Sequence, residues 1–233
     1  LDAVTIALAI GEKHVEGVRR LGASTCTTLL LTTSAPSAKW VRQTLGAFSA
    51  NNAGSQLHFG VAGDLIRAAG QAADAGRPSV FYVDNHCRPY TGKERLCRGW
   101  RMQDRRARPG TADYYISDAR GVPLCRVTVP THGSLSKILR VLVAGVQHAL
   151  GKQEQVLLCF DRGGAFPAPM SGLKSGGVDF ITYERAPCGI PTKKRLRAEG
   201  LQVTIRGEAF RVIESRANLG NGRGRVRRLS VLT

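Results

Sequence analysis

The order of apolar segments between residues 79 and 183 constrains the fold more than any other feature of the sequence. Short β-prone runs alternate there with stretches of helical periodicity, in the order strand, hairpin, helix, strand, helix, strand. The predicted strands are 79–83, 112–117, 123–130, 155–160 and 178–183, and the predicted helices are 134–150 and 166–174. This order predicts an α/β layer with a central mixed sheet and flanking helices.

The segments on either side of this region have a different character. Residues 1–76 are predicted to be mostly helical, with helices at 5–21, 38–50 and 61–75 and an N-cap at Ser37. Three short alternating runs at 201–205, 209–213 and 226–232 predict a small antiparallel β appendage. We therefore divide the chain into a helical segment (1–76), an α/β core (77–192) and a basic β-rich subdomain (193–233).

The chain is strongly basic, and its charge is concentrated. It carries 34 Lys and Arg against 17 Asp and Glu, a formal net charge of +17, with a sequence pI near 10.4. Residues 86–109 hold eight basic and two acidic side chains, and residues 193–228 hold eleven and three. A solvated charged surface usually mixes both signs, so these segments favour phosphate binding over a merely solvated loop. The composition is unlike that of an ordinary small-molecule enzyme and predicts a polyanionic partner, nucleic acid first.

Neither membrane insertion nor disulfide bonding is expected. No apolar run approaches the roughly 18 residues that span a bilayer, so we expect a soluble, cytoplasmic protein with no membrane partner. Residues 1–10 lack the features of a signal peptide and read like the middle of a helix, which suggests an internal piece of a longer protein. The six cysteines are scattered without a CxxC pair, which argues against zinc and for reduced thiols.

Two aspartates follow hydrophobic strands, Asp84 in FYVDNH and Asp161 in CFDRGG. In open α/β sheets the carboxyl ends of the strands form the ligand crevice, so adjacent strands would bring the two carboxylates together. Such a pair, with a third acid, suits two Mg²⁺ or Mn²⁺ ions in phosphodiester chemistry. The alternative is that each aspartate only caps the following turn. Gly163 and Gly164 would allow a sharp turn after Asp161 and offer N–H groups to an anion.

Basic residues beside these aspartates are the candidates for contact with a phosphate backbone. They are Arg88, Lys93, Arg95, Arg98, Arg101, Arg162, Lys193, Lys194 and Arg195. The sequence contains no GxxxxGK[ST], GxSxG or HExxH motif, so P-loop, serine-hydrolase and zincin chemistries lack their usual signals.

Three segments together resemble the core of DDE transposases from bacterial insertion sequences. They are 80–92 (VFYVDNHCRPYTG), 156–164 (VLLCFDRGG) and 177–185 (GVDFITYER), and the resemblance covers roughly residues 57–233. It implies an RNase H-like fold in which Asp84 and Asp161 are the first two catalytic acids and hold Mg²⁺ or Mn²⁺. It also implies a β-rich insertion at the C-terminus and DNA as the substrate, in association with the nucleoid.

On this resemblance the catalytic Glu would lie beyond Thr233. None of Glu184, Glu199, Glu208 and Glu214 lies in a convincing helix, so we assign none of them as the third acid, and the chain is expected to be an incomplete transposase. Two alternatives stay open: a non-catalytic nucleic-acid-binding protein, and a nuclease of the same fold. The sequence also leaves open whether the chain works as a homodimer on DNA ends.

Overall fold

The computed structural model describes residues 2–51, 53–71, 77–101, 104–150, 155–220 and 223–232. The chain forms two compact units, Leu1–Val61 and Ala62–Thr233. Within the described residues, no helix has both the length and the apolar character needed to cross a membrane.

The first unit is helical, as predicted. It contains α1 (Asp2–Ala9), a 3₁₀ helix (Val15–Arg20), the one-turn α2 (Ala23–Thr25), a π-helical turn (Cys26–Leu30) and α3 (Ala38–Ala50). The single helix expected at 5–21 is wrong, because the chain turns at Gly11, whose φ is +91°. The helix predicted at 38–50 is confirmed, and Ser37 caps it by accepting a hydrogen bond from the Trp40 N–H at 3.1 Å.

A long helix, α4 (Ala53–Gln71), crosses from the first unit into the second. It begins well before the predicted start at residue 61, and residues 72–75 of the predicted helix lie outside the described residues. In the second unit, Ala62 and Ile66 of this helix are buried in the core of the main sheet.

The second unit is built on a six-stranded mixed sheet, which confirms the predicted α/β class. Its strands are β1 (Ser79–Pro89), β2 (Arg98–Arg101), β3 (Arg106–Ser117), β4 (Pro123–Pro130), β5 (Val156–Phe160) and β6 (Val178–Thr182). The hydrogen-bonded order is β4, β3, β1, β5, β6, and β2 also pairs with β3. β1, β5 and β6 are parallel, whereas β3 runs antiparallel to β1, β2 and β4.

The central strands are longer than the sequence predicts. β1 continues six residues beyond Val83 to Pro89, and β3 begins at Arg106 rather than at residue 112. Pairing explains both extensions, because β1 stays in register with β3 as far as Pro89 opposite Gly110. β2, which was not predicted, then pairs with β3 from Arg98 opposite Pro109. These polar, arginine-rich extensions carry no apolar alternation that would reveal them.

One face of the sheet carries the hydrophobic core. Phe81 and Val83 of β1 and Leu158 and Phe160 of β5 are buried on this face. The amphipathic helix α5 (Leu135–Leu150) joins the same cluster through one side, and α6 (Pro167–Ser175) contributes Leu173. Both helices were predicted within one or two residues, because their apolar spacing marks the face that packs.

The C-terminal part forms a separate three-stranded antiparallel sheet, as predicted. α7 (Lys193–Glu199) comes first and was not predicted, and β7 (Leu201–Ile205), β8 (Glu208–Asn218) and β9 (Arg225–Leu232) follow. α7 begins at Thr192, whose hydroxyl accepts a hydrogen bond from the Arg195 N–H at 3.2 Å.

Candidate active site

Asp84 and Asp161 occupy neighbouring backbone positions at the carboxyl end of β5, beside β1. We call this end of the sheet the aspartate edge. Val83 of β1 pairs with Phe160 of β5, and each aspartate is the next residue of its chain. Neighbouring strands lie about 4.8 Å apart, so the two carboxylates project from adjacent backbone positions. The two strands are thus adjacent, which is the condition that the sequence argument set for bringing the two aspartates together. Asp84, however, lies inside β1, whereas Asp161 follows the end of β5.

Both carboxylates are exposed, and each has one oxygen held by the backbone. Oδ1 of Asp84 accepts the Asn85 N–H at 2.8 Å, and Oδ1 of Asp161 accepts the Gly163 N–H at 2.8 Å. Among the described residues, no donor binds Oδ2 of either aspartate and no basic side chain forms a salt bridge with them. Two exposed carboxylates on neighbouring backbone positions, each with one oxygen left open, offer the kind of ligand that a hard divalent cation such as Mg²⁺ or Mn²⁺ prefers.

A side chain at either glycine after Asp161 would come too close to its neighbours unless they moved. A Cβ at Gly163 would lie 2.8 Å from Oδ1 of Asp161, and a Cβ at Gly164 would lie 2.7 Å from the ring of Phe160. Neither glycine has a positive φ. Their N–H groups bind the side chain and the carbonyl of Asp161, so the expectation that they bind an anion is replaced by a role in shaping this loop.

Tyr114 of β3 lies near the aspartate edge and is almost fully buried. Its hydroxyl donates a hydrogen bond to the Gly133 carbonyl at 2.9 Å. Burial raises the pKa of Tyr114, and the charge of Asp161 raises it further, whereas a hydrogen bond with Asn85 lowers it. The phenol is therefore a neutral neighbour of the two carboxylates at physiological pH.

A third acid, Glu184, follows β6 at the same edge of the sheet. β6 is the parallel neighbour of β5, with Phe160 opposite Thr182, so Glu184 lies only two residues beyond the last pair. Its carboxylate is bound by the guanidinium of Arg228, whose pKa is raised chiefly by this hydrogen bond. Among the described residues, no three His, Cys, Asp or Glu side chains form a group that could hold a metal ion. The edge thus offers two open carboxylates and a third that is neutralised.

Arg88, a predicted phosphate ligand, is engaged within the sheet. Its guanidinium forms an ion pair with Asp113 of β3, whose side chain is fully buried. Thr128 of β4 donates a hydrogen bond to the other oxygen of Asp113 at 2.7 Å. Burying a carboxylate is costly unless it is paired, so Arg88 stabilises the three-strand junction around Asp113.

The remaining predicted phosphate ligands differ in their environment. Arg101 pairs with Asp104 at 2.9 Å and lowers its pKa, and Arg195 pairs with Glu199 at 2.8 Å. The other six are exposed and form no ion pair within the described part of the chain: Lys93, Arg95, Arg98, Arg162, Lys193 and Lys194. These six side chains are available to a polyanion.

The basic C-terminal sheet is attached to α6 and to the segment that follows β6. Lys174 of α6 donates a hydrogen bond from Nζ to the Arg225 carbonyl at 2.9 Å, and Ser171 donates to the Arg223 carbonyl at 3.3 Å. The Arg228–Glu184 ion pair adds a third link, from β9 to the segment after β6. β9 is thus attached to the elements that follow both Asp161 and β6.

One face of this sheet concentrates arginines. Arg216 of β8 lies directly opposite Arg227 of β9, and Arg225 lies opposite Asn218 on the same face. Like charges opposite each other destabilise a sheet. Glu214 pairs with Arg227 at 2.8 Å and offsets only part of this charge. Such an arrangement is typical of a surface that binds anions.

No protein-family model matches the chain, and no curated protein matches it in sequence.

The sequence does not indicate the role of several residues around the site. Asp113 lies in a strand whose polar and apolar residues alternate, and a single acid in such a strand is expected to be exposed. Thr182 and Arg185 bind the Asp161 loop from the end of β6, as described below. Their place next to that loop follows from the pairing of β5 with β6, which the spacing of strands along the chain does not reveal.

Proposed function

We propose that this chain is the central part of a DDE-type DNA transposase with an RNase H-like catalytic core. The main support for this proposal is that Asp84 and Asp161 occupy adjacent positions on two parallel neighbouring strands. The sheet supports this assignment, because an antiparallel group of strands (β1, β3, β4) is followed by two parallel strands on the other side of β1. Two of the three segments that resemble this family, 80–92 and 156–164, contain the two aspartates.

The two carboxylates are suited to phosphodiester chemistry. Both are exposed, and each keeps one oxygen for a ligand. A divalent cation held there would supply charge neutralisation at the attacking and leaving oxygens of a DNA strand. Hydrolysis at an element end would free a 3′-hydroxyl, which would then attack the target strand.

The distribution of basic residues supports DNA as the partner and, with it, association with the nucleoid. Arg162 follows Asp161 directly, Arg95 and Arg98 are exposed between the end of β1 and β3, and β8 and β9 carry a further arginine face. Phosphate contacts of this kind bind without regard to sequence and weaken with salt.

The proposal is tested by Mn²⁺ binding to the full chain, measured by isothermal titration calorimetry. We expect Asp84→Asn and Asp161→Asn each to weaken binding at least tenfold, since each removes one ligand. Asp179→Asn is the matched control, because Asp179 is an exposed acid of the same sheet on β6. If both variants bind Mn²⁺ as the wild-type chain does, the metal site is wrong. Mg²⁺-dependent nicking of element-end DNA provides the second readout.

A second candidate is a nucleic-acid-binding protein without catalysis. It is favoured by the state of Glu184, which Arg228 neutralises, and by the absence of a three-ligand group among the described residues. Salt-dependent DNA binding that is unchanged by EDTA, together with no Mn²⁺ binding, would support this candidate against the transposase.

A nuclease of the same fold would share the metal site and differ in its products. A doubly labelled substrate separates the two activities, because strand transfer joins the labelled 3′ end to a target whereas hydrolysis only releases it.

A further inference from the structure

The Asp161 loop is held from outside by one side chain at the end of β6 and one that follows it. Thr182 donates a hydrogen bond from its hydroxyl to the Asp161 carbonyl at 3.1 Å. Arg185 donates from Nη1 to the Arg162 carbonyl, also at 3.1 Å. Its guanidinium lies over the ring of Phe166, 4.1 Å from the ring centroid. Arg185 thus contacts the loop near its start and at its end.

The loop's own hydrogen bonds use the same carbonyl groups. The Asp161 carbonyl also accepts the Gly164 N–H at 3.2 Å, and the Arg162 carbonyl accepts the Ala165 N–H at 3.3 Å. These internal bonds are long, near the upper limit for an N–H donor. The contacts from Thr182 and Arg185 therefore add to a turn that is weakly held by its own backbone.

From these contacts we infer that Arg185 is a positioning residue, which fixes the conformation of residues 161–166 and so sets the direction of the Asp161 carboxylate. The Gly163 N–H that binds Oδ1 of Asp161 lies within this turn, so a shift of the Arg162 carbonyl would displace the donor that orients the carboxylate. Arg185 itself makes no contact with the carboxylate oxygens and acts only through the loop.

The chemistry of arginine suits this task better than that of lysine. A planar guanidinium donates a hydrogen bond in its plane while its face stacks on an aromatic ring, and an ammonium group cannot do both in one fixed geometry. Arg185→Lys is therefore expected to behave more like Arg185→Ala than like the wild-type chain.

Amide hydrogen exchange provides a test that does not depend on metal binding. In Arg185→Ala we expect the Gly163 and Gly164 amides to exchange at least fivefold faster than in the wild-type chain, and the amides of α5 to be unchanged. Arg197→Ala is the matched control, because Arg197 is an exposed arginine of α7. Phe166→Leu, which keeps an apolar side chain but removes the ring, should give part of the increase.

Mn²⁺ affinity is the second readout, and here the inference rests on the proposed function. We expect Arg185→Ala to weaken Mn²⁺ binding about tenfold, the usual effect of losing a residue that orients a metal ligand. A wild-type chain that binds no Mn²⁺ would contradict the proposed function. The exchange measurement would still test whether Arg185 holds the Asp161 loop. Unchanged exchange of Gly163 and Gly164 in Arg185→Ala would overturn the inference, whatever the metal does.

Discussion

The backbone N–H of Gly163 and Oδ1 of Asp161 are joined by a 2.8 Å hydrogen bond, which leaves no space for a side chain at position 163. Gly163→Ala should therefore push the carboxylate of Asp161 aside, because the added Cβ would lie 2.8 Å from Oδ1. We expect Mn²⁺ affinity to fall about tenfold.

The control for this variant is Gly172→Ala in α6, where a Cβ meets nothing within 4 Å. That change should leave Mn²⁺ affinity intact and raise thermal stability, since alanine favours a helix interior by about 1 kcal/mol over glycine. Equal Mn²⁺ affinities for the two variants would mean that the close approach at Gly163 does not matter for binding.

Tyr114 reports on the position of Asp161. The pKa of Tyr114 is raised first by burial and then by the Asp161 charge. In Asp161→Asn, where the negative charge is lost, the pKa should fall but stay above the ordinary value of 10.0 because the burial remains. The shift can be followed by NMR of ¹³C-labelled tyrosine, with Asp179→Asn as the variant that should leave it in place. An unmoved Tyr114 pKa in Asp161→Asn would place the carboxylate farther away than the structure does.

The arginine face of the C-terminal sheet should contribute directly to DNA binding. Replacing Arg216 and Arg225 together by glutamine removes two exposed charges without removing the Arg228–Glu184 link. We expect weaker binding to any duplex sequence, and a plot of log affinity against log salt whose slope is reduced by about 2. Fluorescence anisotropy at several salt concentrations measures both. The single variant Arg19→Gln changes an exposed arginine of the first unit and is the control for net charge alone. If the double variant has the same salt slope as the wild-type chain, this surface does not bind DNA.

Asp118 should make the turn between β3 and β4 sensitive to acid. Its Oδ1 accepts the Val122 N–H at 2.8 Å and the Arg120 N–H at 2.9 Å. The bond from Val122 is the largest cause of a lowered pKa, and the contacts with Arg120 lower it further. A lowered folded-state pKa contributes stability that is present above the unfolded value, near 3.8, and is lost as the pH falls through the folded value. Asp118→Asn should therefore melt below the wild-type chain at neutral pH, and the difference should shrink in acid; a constant difference across the range would contradict this role.

The elements that the sequence predicted well are those whose apolar spacing decides their packing. α3 and β4 were predicted with their observed bounds, and α5 and β5 within a residue, because one face of each is buried. The extensions of β1 and β3 escaped prediction, since arginines and polar residues form strands there only through pairing with a neighbour.

The candidate site was predictable in part for the same reason. A hydrophobic strand followed by an acid identifies Asp84 and Asp161 one at a time, and the parallel pairing of β1 with β5 then brings them together. The partners of nearby charges are set by contacts distant in sequence. Arg88 binds Asp113, 25 residues away, and Arg228 binds Glu184, 44 residues away. No local pattern could have assigned either pair.

The two aspartates differ in what holds their backbone in place. Asp84 lies within a strand that stays paired with β3 as far as Pro89, whereas Asp161 begins a loop that is bound by Thr182 at the end of β6 and by Arg185 after it. One aspartate is thus held in place by strand pairing and the other by side chains outside its own loop. In the proposed metal site, the paired strand would therefore hold one ligand in place, and the loop after β5, with Arg185 beside it, would decide how closely the second ligand approaches.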